Sequence, residues 1–463
     1  MGGRAFISTR GRAPACGFAD VLLAGLAPDG GLYMPAAWPH FSKAEITAFA
    51  GKPYQDVAFE VLSQFAGADF TDAELKEDIA AAYCGFEHAA IAPLRPIGPD
   101  QFLLELFHGP TFAFKDIALQ ILGRLFARAL KRRGGRATIV AATSGDTGSA
   151  AIAALGGLPN IDVFVLHPKG RVSEVQRRQM TTSPHGNVHN IAIEGSFDDA
   201  QHIVKSLFAD TDFASAISLT AVNSINFVRI AAQCVYYFTA AATLKAAPTF
   251  VVPTGNFGDI FAGEAAGRMG LDIARLVIAT NANDIMARAL NTGVYEAGAA
   301  HHTISPSMDI QVASNFERAL FEASGRDAGW TASAMATFAR DRKLVLPDNI
   351  RRALEARYAA SASNDDETLA VIRDLSREQG IVIDPHTAVA VAAARKMKNL
   401  AAPVVILSTA HPAKFGDAVT RATGTAPTLP SPLAAVMNVP EKLDVMAADA
   451  ALIKGFISSR LKP

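Results

Sequence analysis

The sequence reads as an α/β protein built on largely parallel sheets, and three observations lead there. Short apolar runs at 102–107, 137–142, 161–166, 188–193, 249–252, 276–279 and 404–407 alternate with helical patterns from residue 101 onward. Strands separated by helices are joined by right-handed crossovers into parallel sheets. The residues just after several of these runs are small, hydroxyl-bearing or glycine-rich, and open parallel sheets hold ligands beyond the carboxyl ends of their strands. Finally, a chain of 463 residues exceeds one ordinary core, so two or three domains, or one large domain with insertions, are expected.

Residues 1–95 form an N-terminal helical region. Phe18, Val21, Leu22 and Leu26 recur at helical spacing, and Pro28 with Gly30 and Gly31 ends that helix. Two further helical stretches are expected near 44–50 and 54–65. The run 102–107 is followed by HGPTFAFKD, residues 108–116, and then by a helical pattern whose face is Ile117, Ile121, Leu122, Leu125 and Leu130. Lys115 therefore falls at a strand-to-helix junction, where it is either a partner for Asp116 at an ordinary helix start or an amine reaching into a cleft. A partly desolvated lysine there has a lowered pKa and can form a Schiff base with a carbonyl.

After 137–142 comes SGDTGS, residues 144–149, running into an alanine-rich helix. Small and hydroxyl residues at a helix start leave backbone N–H groups free for an anion, here a carboxylate in the absence of a Gly-Lys-Ser/Thr phosphate loop; a capped helix without ligand fits the same residues. His167 to Arg171 reads as a solvated strand exit. Asn223 and Arg229 head another helix, as a second anion site or as structural residues. After 249–252, GNFGD at 255–259 is either a phosphate-binding nest or a bare tight turn. Loops and surface helices are expected between 291 and 365. Thr409 follows the run 404–407 with its hydroxyl at the strand exit, and prolines from 427 to 440 mark a boundary before a short helical tail.

The 43 basic and 44 acidic residues nearly cancel, which leaves no electrostatic footprint for nucleic acid or an anionic membrane and points to a small-molecule partner. Cys16, Cys84 and Cys234 have no metal-ligand spacing, so no metal site is expected and a reduced, cytoplasmic setting is. No signal pattern and no run of 18 apolar residues appears.

Taken in order, ISTRG at 7–11, DGGLY at 29–33, the lysine motif, SGDTGS, Asn223 to Arg229, GNFGD, PSMDI at 306–310 and STAHP at 408–412 resemble the threonine synthases of the longer bacterial and fungal type. These are pyridoxal-phosphate enzymes of fold type II, the tryptophan synthase β-like group. The resemblance implies two α/β domains with parallel-rich sheets around a cleft, within a catalytic region at 96–425 that has a smaller mobile subdomain near 135–215, and a tail at 426–463. It implies Lys115 as the Schiff-base residue, Gly255, Asn256, Phe257, Gly258 and Asp259 as the cofactor phosphate cup, and Thr409 facing the pyridine nitrogen. Asp146 would border the phenolic oxygen, Ser144 and Thr147 would hold the substrate carboxylate, and Asn223 and Arg229 would grip the phosphate of O-phospho-L-homoserine. The expected activity is conversion of that ester and water to L-threonine and phosphate by a monomer or homodimer. A related phospho-lyase releasing 2-oxobutanoate and a serine or threonine dehydratase are the alternatives within the same group.

Overall fold

A computed structural model describes residues 4–220 and 222–461. Its larger sheet has the strand order Tyr358–Ala362, Arg275–Thr280, Thr249–Pro253, Val404–Ser408, Gln101–Glu105, Leu94–Gly98, parallel throughout except for the last pair. The smaller sheet is all parallel, ordered Asp444–Ala447, Val188–Glu194, Ile161–Pro168, Ala137–Ala142, Leu219–Thr220. Central strands such as Thr249–Pro253 and Val404–Ser408 are buried at every residue, as expected when helices cover both faces of a parallel sheet. Gln101–Glu105, Val404–Ser408 and Thr249–Pro253 are consecutive neighbours, so the chain leaves three adjacent carboxyl ends at residues 106, 409 and 254.

The helix Lys115–Arg133 buries most of its surface and ends at Gly134 in the left-handed conformation with Lys131, Arg132 and Arg133 in its last turn, where cations complement the helix dipole. Gly123 lets it lie against the helix Asp146–Leu155: a Cβ there would come within 2.6 Å of the Ala154 carbonyl oxygen. The helix Phe227–Leu244 is long and apolar enough to cross a membrane by length and composition, yet 83% of that stretch is buried within the fold. It packs against Gly258–Arg268, Tyr54–Ala66 and Lys115–Arg133 and is the core helix of the molecule.

The expected N-terminal helices occur at Phe18–Ala24, Lys43–Thr47 and Tyr54–Ala66, with a further one at Asp72–Tyr83. An antiparallel ladder of Phe6–Ser8 with Tyr33–Pro35 was not expected, because three residues are too few to show an alternating pattern. Two segments differ from expectation. Tyr358–Ala362, in a stretch read as loops and surface helices, is the parallel edge strand of the larger sheet; its alanines and serine carry little strand propensity, and pairing with Arg275–Thr280 decides its conformation. The C-terminal segment is more than a helical tail: Asp444–Ala447 adds an edge strand to the smaller sheet, and Ala450–Arg460 packs on Phe197–Ala209 through buried Ile453 and Ile457.

The close approach at Gly123 makes it a sharp test of this packing. Gly123→Ala should destabilise the protein by about 1–3 kcal/mol through overpacking against backbone, whereas Gly85→Ala, with nothing within 4 Å of the new Cβ, should stay within about 0.5 kcal/mol. Thermal unfolding midpoints measured side by side check the contrast.

Candidate active site

The chain between Glu105 and Lys115 is folded onto the exit of the neighbouring strand Val404–Ser408. Phe114 N donates to the Thr409 carbonyl at 2.8 Å, His411 N to the Phe112 carbonyl at 3.0 Å, and Ala113 bridges Ala410. Asp116 locks the turn from below, accepting from Thr111 N and Thr111 Oγ1, both at 2.7 Å. Burial pushes the Asp116 carboxyl up to about 6, although Thr111 works against it. Gly109 is required because a Cβ would lie 2.5 Å from that of Asp116. Lys115 is thus delivered at the first turn of its helix by a loop with little freedom.

Lys115 is 8% exposed. Its Nζ lies 3.6 Å from Asp146 Oδ2 and 4.8 Å from the centroid of the Phe114 ring. Burial lowers its proton affinity; Asp146 opposes that, while Lys414 and Arg229 add to it. Burial alone would raise the Asp146 carboxyl, but Lys414 and Lys115 outweigh it, helped by Gln176 Nε2 donating at 2.8 Å, and the group stays below the usual carboxylate range. Lys414 was not singled out in the sequence. It is fully buried, its Nζ 2.9 Å from Asp146 Oδ1 and 2.6 Å from the Thr111 carbonyl. A lysine amid the apolar residues that leave a buried strand was the available signal.

The exit of Thr249–Pro253 forms a cup. Among the described residues, none of the N–H groups from Gly255 to Asp259 donates a hydrogen bond, and Phe257 sits at φ 63° as the N-cap of the helix Gly258–Arg268. Free N–H groups of this kind with a helix start behind them suit a phosphate dianion. Gly255 is required by the PSMDI segment, since a Cβ would meet the Ser307 carbonyl at 2.8 Å. Ser307 N in turn donates to His386 Nε2 at 3.1 Å, and His386 Nδ1 to Asp384 at 2.7 Å, which fixes the ring as the Nδ1–H tautomer. The Asn256 carbonyl accepts from Asn315 N and Nδ2, each at 3.0 Å, and buried Arg318 holds Asn315 Oδ1 together with the Tyr33 and Ile225 carbonyls. Asp259 contributes its backbone to the cup but turns its carboxyl onto the hydroxyls of Tyr236 and Tyr237, leaving Oδ2 buried without a partner among the described residues. Burial pushes that carboxyl up to about 7, against the tyrosines and Lys115.

Across the cleft, Thr143 Oγ1 accepts from Gly145 N at 3.0 Å and Gly148 N at 2.9 Å, which shapes the loop bearing Ser144 and Thr147. Both side chains are half-buried, and the N–H groups of Ser144, Asp146 and Thr147 donate to no described group. Thr409 is 5% exposed, and its hydroxyl makes no hydrogen bond to any described residue, while its N–H is held by Thr387 Oγ1 at 3.3 Å. Asn223 is exposed and caps its own turn through the Ile225 N–H at 3.2 Å. Asn226 is the cap of the core helix, accepting from Val228 N at 3.0 Å. Arg229 is 4% exposed, and among the described residues neither Nε nor Nη1 has a partner. Burial pushes its guanidinium down to about 10. The stretch His167 to Arg171 divides: Lys169 to Arg171 are solvated as expected, but His167 is buried beneath them, because the strand Ile161–Pro168 runs two residues further than its apolar run.

These residues fit pyridoxal phosphate. A buried lysine and a cup of free N–H groups stand at exits two strand spacings apart, about 10 Å, with the uncommitted Thr409 hydroxyl at the exit between them. Comparison with known proteins agrees. Residues 5–83 match the family described as threonine synthase N terminus, residues 95–348 the pyridoxal-phosphate dependent enzymes, and residues 387–457 the threonine synthase C-terminal family. The threonine synthase of Pseudomonas aeruginosa is 49% identical over 460 residues, 98% of each chain. Among solved structures, the chain is similar to pyridoxal-phosphate-bound threonine synthase from Brucella melitensis, with TM-score 0.97, 48% identity and 100% of both chains covered. It is also similar to threonine synthase from yeast, with TM-score 0.93, 36% identity and 99% of both chains covered.

Asp259 offers a pH test of the cup. Its carboxyl is raised from an ordinary 3.8 to about 7, so its contribution to stability is fully present below about pH 4 and is lost as pH rises through about 7. Asp259→Asn keeps an acceptor for the tyrosines without the titration. Relative to the variant, the parent should therefore lose on the order of 1–4 kcal/mol between these limits. Unfolding midpoints of both proteins from pH 4 to 8 check it; parallel curves would contradict the buried, tyrosine-bound carboxyl.

Proposed function

The chain belongs to the threonine synthase family of pyridoxal-phosphate-dependent enzymes, and we propose that its substrate is O-phospho-L-homoserine, converted with water to L-threonine and phosphate. The observation that carries this choice of substrate is Arg229. A buried guanidinium with two nitrogens that no described residue partners is costly to keep, and an anion entering the site removes that cost. The cofactor phosphate has its own cup at Gly255, Asn256, Phe257, Gly258 and Asp259, so a second phosphate, that of the substrate, is assigned to Arg229, with Asn223 at the outer edge. Ser144 and Thr147 with the N–H groups of their loop take the substrate carboxylate.

Pyridoxal phosphate, held at Lys115, supplies an electron sink for charge developing on the substrate carbons. Lys115 Nζ is the base that moves protons at the α and β carbons, and its lowered proton affinity suits a base working near neutral pH. Arg229 receives the phosphate as the bond to the γ carbon breaks and the electron pair leaves with the oxygen. The protons taken from the α and β carbons are returned at the γ carbon, which becomes a methyl group, and at the α carbon, while the oxygen of water bonds to the β carbon and its spare proton leaves with the phosphate. Thr409, bearing a neutral hydroxyl, can bond the pyridine nitrogen without protonating it. Asp146, beside Lys115, would border the phenolic oxygen of the bound cofactor.

A cytoplasmic enzyme acting as a monomer or homodimer completes the proposal, and the three free cysteines are consistent with a reducing compartment. The mobile unit is assigned to about residues 135–215, which carry the carboxylate loop.

Incubation with O-phospho-L-homoserine should yield threonine and phosphate in equal amounts. Release of 2-oxobutanoate in place of threonine would overturn the assignment of water addition. Lys115→Ala should abolish turnover and covalent attachment of the cofactor, since the Nζ of the neighbouring Lys414 is already held by Asp146 and the Thr111 carbonyl. Arg229→Ala should lower kcat/KM by roughly ten- to a hundred-fold, the worth of a charge-assisted hydrogen bond of about 1.5–3 kcal/mol. Cofactor affinity, read by fluorescence titration, should survive that change; loss of cofactor instead would make Arg229 part of the cofactor site.

A further inference from the structure

Two lysines share one carboxylate in this site, and they are not equivalent. Lys414 is fully buried and its ammonium has two acceptors, Asp146 Oδ1 at 2.9 Å and the Thr111 carbonyl at 2.6 Å. Among the described residues Lys115 has a single one, Asp146 Oδ2, at 3.6 Å. A desolvated cluster of two amines and one carboxylate favours a single balanced pair, and the proton stays where it makes more and shorter hydrogen bonds. We propose that Lys414 is a positioning residue that holds the Asp146 charge on itself and thereby leaves Lys115 as the amine that gives up its proton.

The surroundings of Lys115 act in the same direction. Arg229, on the core helix, adds a positive charge that no described carboxylate pairs, and Asp259, on the helix after the cup, is itself pushed up by burial. Asp116 is committed to Thr111, and both ring nitrogens of His386 are committed, Nε2 to Ser307 N and Nδ1 to Asp384. Gln176 donates to Asp146 Oδ1 beside Lys414, which further turns that oxygen away from Lys115. The main chain reinforces the placement: Ser173 Oγ donates to the Lys414 carbonyl at 3.1 Å and Gln179 Nε2 to the Thr111 carbonyl at 3.0 Å. Asp146, Ser173, Gln176 and Gln179 come from the smaller-sheet side, and Lys115, Thr111 and Lys414 from the larger. Lys414 is therefore also where the two sides of the cleft are pinned at the reacting amine.

This inference rests on Lys115 as the cofactor anchor, and the two can fail separately. Borohydride reduction of the parent protein followed by peptide mass spectrometry tests the anchor: label on any other residue would overturn it. The positioning role is read from the pH dependence of the visible absorption of the cofactor-bound protein, which reports protonation of the Lys115 nitrogen independently of turnover. Lys414→Met should shift that transition to higher pH by about one unit or more, because Asp146 then serves Lys115 alone. Lys414→Arg should move it back toward the parent, and Asp146→Asn should move it to lower pH. A transition in cofactor-retaining Lys414→Met that coincides with the parent would overturn the proposal. Should Lys414→Met fail to fold or to retain cofactor, Asp146→Asn decides, and an unmoved transition there is equally fatal.

Discussion

Asp146 is a buried carboxylate contacted by Lys115, Lys414 and Gln176, and the arrangement of the cleft depends on it. It stands at the start of a helix of the smaller-sheet side, while both lysines stand at strand exits of the larger sheet. Charges removed from water cost several kcal/mol each unless they are paired and hydrogen-bonded, so the lysines and the carboxylate are stable in this position only together. That mutual dependence ties the geometry of two sheets to the protonation state of one amine.

The parallel sheets supply the rest of the constraint. Consecutive pairing of Gln101–Glu105, Val404–Ser408 and Thr249–Pro253 brings segments nearly 300 residues apart in the chain to one edge. The loop before Lys115 is zipped by backbone hydrogen bonds onto the loop holding Thr409, so neither can move without the other. The cup at Gly255 is fixed differently, by the Ser307 carbonyl against its Cα and by Asn315 on the Asn256 carbonyl.

The N-terminal region, which has no catalytic constellation of its own, reaches the site through these supports. Thr9 Oγ1 donates to Glu317 at 2.6 Å and Arg10 pairs with the same carboxylate at 2.9 Å. Its neighbour Arg318 carries the Tyr33 carbonyl on one side and Asn315 on the other. The ISTRG and DGGLY motifs thus act on the phosphate cup at one remove: Gly31 admits Ser8, whose Oγ would lie 2.2 Å from a Cβ there, and Ser8 donates to Asp29 at 2.7 Å.

The sequence by itself determined the α/β class, the seven principal strands and the placement of Lys115, the SGDTGS loop, GNFGD and Thr409 at strand exits. Those features are local, since an apolar run of four to eight residues bounded by glycine or hydroxyl residues specifies a buried strand and the loop after it. Tertiary structure alone decided the edge strands Tyr358–Ala362 and Asp444–Ala447, whose residues have weak preferences and become strands through a neighbour's hydrogen-bonding groups. It alone separated Asn223, exposed and turned onto its own loop, from Arg229, buried and unpaired among the described residues, though both stand at the head of one helix. It also turned the Asp259 carboxyl from the cup onto two tyrosines and brought Lys414 to Asp146 across 268 residues of chain. The physical reason is common to these cases: a charged side chain's role is set by which partners burial leaves it, and burial is a property of the packed molecule, not of the neighbouring residues in the chain.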